Sequence, residues 1–112
     1  MGVARVALLT GLMVLAAAAA SAEPTRFAGM RACERYAAVE FKRRNPAFRR
    51  FIIDRSAVEV DDFADKVGNQ FVSTIFHGKA TYEANSGPRT VRFLCLYAGS
   101  SKGPVFIYTL PD

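Results

Sequence analysis

Polar and apolar positions divide the chain into three regimes. The first is an uncharged apolar run, Val6–Ala20, preceded only by the lone cation Arg5. The second runs from Pro24 to about Arg44 and spaces Phe27, Met30, Cys33, Ala37 and Phe41 three or four residues apart. On a helix these positions form a stripe about 120° wide, the width a core-facing side needs. Pro24 suits a first turn, where its missing N–H costs nothing. Asn45-Pro46 supplies the stop, because the residue before a proline is pushed out of helical geometry. Glu34 lies at the margin of the stripe, and the pattern alone gives it no role.

The third regime alternates with the period of strands. Phe51–Ile53 reads as a short strand or a docking loop, and Val58 and Val60 alternate with Glu59 and Asp61 as in a half-buried strand. "ADKVGN" reads as a turn. "QFVSTIFHGKATYEA" is the longest strand signal, rich in β-branched and aromatic residues, with Gly78 marking a bulge or bend. Asn85-Ser86-Gly87-Pro88 predicts a turn. "RTVRFLCLYA" is the next strand, and "GSSKGP" leads into "VFIYTL", a final strand closed by Pro111, with Leu110–Asp112 fraying. The expected architecture is α+β: one N-terminal helix packed on a three- to four-stranded antiparallel meander sheet.

The opening segment changes the setting of that fold. Arg5, the apolar run and the small residues Ala20-Ser21-Ala22 have the order of a secretory signal peptide, residues 1–22, followed by a single domain over residues 23–112. As a helix the run spans roughly 22 Å, short of the ~30 Å core of a bilayer, which disfavours a retained anchor. No transmembrane segment is expected after cleavage. Export implies an oxidising compartment, periplasmic or secreted, where the two cysteines of a small domain pair. A Cys33–Cys95 bridge adds roughly 4 kcal/mol in the chain-entropy treatment; the alternative is two buried thiols packed as small hydrophobes. Strand alternation puts Val91, Phe93, Cys95 and Tyr97 on one uniformly apolar face, turning Cys95 toward the helix.

The chemical inventory is thin. His77 is the sole histidine, and none of Ser73, Ser86, Ser100 or Ser101 has the context of a nucleophile elbow, so no catalytic residue is assigned. Glu59, Asp61, Asp62 and Asp65 form an acidic stretch without the glycine turn and terminal glutamate of a calcium loop. It reads as a solvated edge, with no metal and no cofactor. The densest feature is "FKRRNPAFRRFIIDR", where Lys42, Arg43, Arg44, Arg49, Arg50 and Arg55 interleave with Phe41, Phe48 and Phe51. Arginine and aromatic side chains together can hold phosphates and stack on rings. The alternative is that the phenylalanines enter the core while the arginines sit in water. The formal net charge is +5, which favours anionic partners.

With Cys33, Tyr36, Ala37 and Phe41 in the opening helix and Phe93-x-Cys95 in a late strand, the chain resembles small exported bacterial proteins of unknown function. The resemblance implies a periplasmic or secreted location and carries no activity. In outline a helix against a meander is also similar to cystatin-type and PepSY-type domains, without their motifs. The expected function is a non-enzymatic exported module that contacts an anionic lipid, glycan or acidic protein of the envelope through residues 42–55. Nucleic acid is not an expected partner in that compartment, and the pattern does not fix the oligomeric state. The alternatives are a periplasmic protein-binding or inhibitor module, and a small hydrolase using His77. An inhibitor of basic lysozymes is disfavoured by the positive charge.

Overall fold

Residues 26–44 form helix α1 in the computed structural model, which describes residues 26–112. The expected leader, 1–22, and the expected helix start at Pro24 lie outside the described residues. Four strands follow, β1 (Phe48–Val67), β2 (Gln70–Ala84), β3 (Gly87–Tyr97) and β4 (Pro104–Pro111). They pair antiparallel in the order β1-β2-β3-β4, the meander that the turn signals predict. The helix packs across one face of this sheet, giving the α+β fold.

The buried stripe of α1 is Gly29, Met30, Cys33, Ala37 and Phe41, while Phe27 is exposed. The stripe is small at Gly29, Cys33 and Ala37 and large at Met30 and Phe41, and that pattern sets the fit to the sheet. A Cβ at Gly29 would lie 2.6 Å from the Phe76 ring, so this turn of the helix sits directly on β2. At the other end the Phe41 ring fills the space among Phe48, Phe51 and Tyr82, with centroids 5.5–5.8 Å away. Ring pairs at these separations each contribute about 0.5–1.5 kcal/mol beyond their burial.

The sheet face beneath the helix is a set of cross-strand rows. Val60, Phe76, Cys95 and Ile107 lie side by side, as do Ile53, Ala80, Val91 and Pro111. Cys95 therefore faces the core, and it is bridged to Cys33 with a Cα–Cα separation of 6.3 Å and a sequence separation of 62. Both cysteines are fully buried and no free cysteine remains.

β1 departs most from the sequence reading. The expected docking loop, the short Val58–Asp61 strand and the first part of "ADKVGN" are one strand of 20 residues, interrupted by three register shifts. Between Ile53 and Val58, residues 54–57 bulge out opposite Lys79 alone. The Asp54 carboxylate accepts from the backbone N–H and the hydroxyl of Ser56, at 3.0 and 2.7 Å, and closes that bulge as a small turn. Those bonds, the hydroxyl's first, hold the Asp54 carboxyl below the ordinary aspartate range. Their support is present above that range and is lost as pH falls through it. The last shift, between Asp62 and Asp65, places Ala64 at φ 51°, the left-handed geometry of a bulge residue. The true reversal is only Gly68-Asn69, with Gly68 at φ 63°.

Gly78 is the flat partner of the β1 bulge rather than a bulge itself. Its φ is 152°, and a Cβ there would lie 2.0 Å from the Ala57 carbonyl oxygen. At the C-terminus, Leu110 and Pro111 pair with Arg92 and Val91, and Asp112 meets Lys79 at 3.4 Å, so the expected fraying does not occur.

Two outcomes test this packing. Gly78→Ala is expected to lose at least about 2 kcal/mol of unfolding free energy, since backbone must move to admit the methyl group. Replacing Cys33 and Cys95 by alanine is expected to cost about 4 kcal/mol in denaturant titration, with the bridge itself verified by intact mass under reducing and non-reducing conditions.

Candidate functional site

The basic run folds around the corner between α1 and β1. Asn45 ends the helix: its N–H donates to the Phe41 carbonyl at 2.8 Å, its own carbonyl accepts from Phe48 N–H at 2.9 Å, and its side-chain oxygen accepts from Ala47 N–H at 3.1 Å. The Lys42 ammonium locks the reversal by donating to the carbonyls of Pro46 and Phe48, at 2.8 and 3.2 Å. A cation at this position also complements the negative end of the helix dipole. Phe41, Phe48 and Phe51 are all buried, so the aromatics of the run belong to the core and offer no stacking platform outside it.

The cations distribute unequally around that corner. Arg43 and Arg44 both reach Glu40 one turn back, and their side chains stay 70% and 63% exposed. Arg49 is the extra residue of the first β1 bulge and donates to the Asn85 side chain at 3.4 Å, in the β2–β3 turn. Arg50 pairs with Glu83 across the β1–β2 ladder at 2.7 Å and remains 63% exposed. The same end of the sheet gains Arg89, whose guanidinium carbon sits 4.8 Å from the centre of the Tyr82 ring. Arg89 is missed by a reading along the chain because it lies on the far side of a turn. Its signal is its symmetric position to Tyr82 about Asn85-Ser86, which makes the two residues cross-strand partners.

Arg55 stands apart from this group. Its guanidinium donates to both oxygens of Glu34, at 3.0 and 3.2 Å, and to the Ile53 carbonyl at 3.2 Å. Glu34 in turn accepts the Ile53 backbone N–H at 2.8 Å. This answers the position at the margin of the helical stripe. Glu34 satisfies a donor on the outer edge of β1 just where the strand begins to bulge, and Arg55 neutralises it. Lys42 and Arg55 are thus structural cations, while Arg43, Arg44, Arg49, Arg50 and Arg89 form an exposed basic end with Glu40 and Glu83 as its nearest counter-charges.

The acidic stretch occupies the other half of β1. Asp61 and Glu59 face the open side of the sheet, where His77 Nε2 lies 2.8 Å from Asp61 and 3.5 Å from Glu59. A shallow cleft of about 340 Å³ runs beside this pair, lined by Ser56, Glu59, His77, Lys79 and Arg92. The Ser56 hydroxyl is held by Asp54, and among the described residues no serine hydroxyl bonds His77. No group of three or more metal-ligating side chains is assembled among the described residues. Comparison with protein families, curated proteins and solved structures finds no match to this chain.

Glu34→Ala leaves the Ile53 N–H and the Arg55 guanidinium without their acceptor. It is expected to cost about 2 kcal/mol by denaturant titration, with amide exchange accelerated at Ile53 before it changes at Phe93.

Proposed function

We propose that this protein is an exported, non-enzymatic binding module that contacts an anionic component of the cell envelope through its basic end. The observation that carries the reading is the gathering of Arg43, Arg44, Arg49, Arg50 and Arg89 from three separate elements onto one end of the sheet. The acidic residues of β1 lie farther along the same strand, so the surface is electrically polarised. Planar guanidinium groups held by one neighbour each retain free N–H donors, the equipment for bidentate capture of phosphate or carboxylate.

The buried Cys33–Cys95 bridge supports an oxidising compartment, as does the leader pattern of residues 1–22. Among the described residues no helix is long and apolar enough to cross a membrane. Contact with an envelope surface therefore falls to side chains, and clustered arginines are each worth about 1 kcal/mol at an anionic lipid surface. His77 and its carboxylates support no hydrolytic mechanism in this reading, because among the described residues no nucleophile hydrogen-bonds the imidazole.

The test is retention on vesicles of mixed neutral and anionic phospholipid and on an acidic polysaccharide resin, across a salt series. Reversing Arg49 and Arg50 to glutamate is expected to lower retention on the preferred anion about tenfold or more and to flatten its salt dependence. Retention that ignores both the reversals and the salt would sink the reading.

A further inference from the structure

The two edges of the sheet are finished in different ways. β1 is broken by three register shifts, carries charges from Arg49 to Asp65, and gives its Ile53 N–H to Glu34. Each of these is a device that deters another strand from adding to an edge. β4 has none of them over its central residues. It is an eight-residue edge strand, PVFIYTLP, without a charged side chain, and its single irregularity falls at Val105, near its start. The Tyr36 hydroxyl donates to the Val105 carbonyl at 3.2 Å, and among the described residues nothing else from α1 bonds to β4. Phe106 and Tyr108 are about half exposed on the open face, with their rings nearly parallel at 6.3 Å.

We infer that β4 is a dimerisation edge, and that its occupant is the β4 strand of a second copy, paired antiparallel about Ile107. Two features favour a second copy over an unrelated strand. Pairing about Ile107 sets Phe106 of each copy opposite Tyr108 of the other, so the two stacked pairs join into one aromatic cluster on the open face. Pro104 and Pro111 frame the strand and confine the new ladder to the residues between them, where every backbone N–H is present. A two-fold axis through Ile107 closes the assembly at a dimer and leaves no further β4 edge for growth. The product is a continuous sheet of both copies with the protected β1 strands at its outer margins.

The experiment is sedimentation velocity of the oxidised protein over a wide concentration series. Wild type is expected to move from monomer to dimer. Tyr108→Lys and Phe106→Glu are each expected to weaken the dimer about tenfold, and combining them to restore it, because the register sets each glutamate opposite a lysine of the other copy. Ile75→Lys, on the same open face but two strands in from the edge, separates edge pairing from stacking of the two faces and is expected to leave the dimer intact. Circular dichroism and a thiol assay on each variant confirm that it is folded and bridged. A protein monomeric at every concentration overturns the inference, as does a dimer that survives Tyr108→Lys and Phe106→Glu or is lost in Ile75→Lys.

Discussion

The covalent tie between Cys33 and Cys95 is the constraint on which the remaining geometry rests. It holds the middle of α1 over β3 at a distance that only small neighbours permit, and Gly29 and Ala37 supply them. With the helix pinned there, Phe41 arrives among Phe48, Phe51 and Tyr82, and Glu34 arrives within reach of the β1 edge. A domain of this size buries barely two-thirds of the surface its unfolded chain exposes, so hydrophobic burial alone leaves a thin margin. The bridge supplies the difference by constraining the unfolded chain rather than by adding contacts.

β1 shows how a long strand is bent without being broken. Its bulge at residues 54–57 is closed by the Asp54–Ser56 turn, covered by the Glu34–Arg55 pair, and seated on Gly78, which has no side chain to obstruct it. Each of those contacts answers a separate cost of leaving the ladder: backbone groups without partners, a charge without a counter-ion, and backbone approaching backbone. The same bend separates Arg55 from Arg49 and Arg50, so the irregularity that shapes the sheet also trims the basic surface to the arginines at its end.

Helix α1, the meander and the inward turn of Cys95 were legible because each rests on periodicity, 3.6 for Cys33 and Phe41 and 2 for Phe93 and Cys95. The continuity of β1 was not, because inserted residues such as Asp54–Ala57 shift the alternation and imitate a loop. Glu34 was opaque for a different reason: its main partner is a backbone N–H 19 residues away, and backbone groups leave no mark in a sequence. At the basic end the sequence showed the charges of residues 42–55 but could not show that Lys42 is spent on carbonyls. Nor could it show that Arg89 joins them across a turn.

Every strand of the sheet pairs with its neighbour in the chain, so hairpins can form locally and in any order. Only the docking of α1 requires distant parts of the chain to meet, and the bridge lies at the centre of that contact. With both sulfurs fully buried there, the bond is screened from solvent for as long as the helix stays seated. A soluble reductant reaches it only in molecules whose α1 has lifted, so the rate of reduction reports how often the helix undocks.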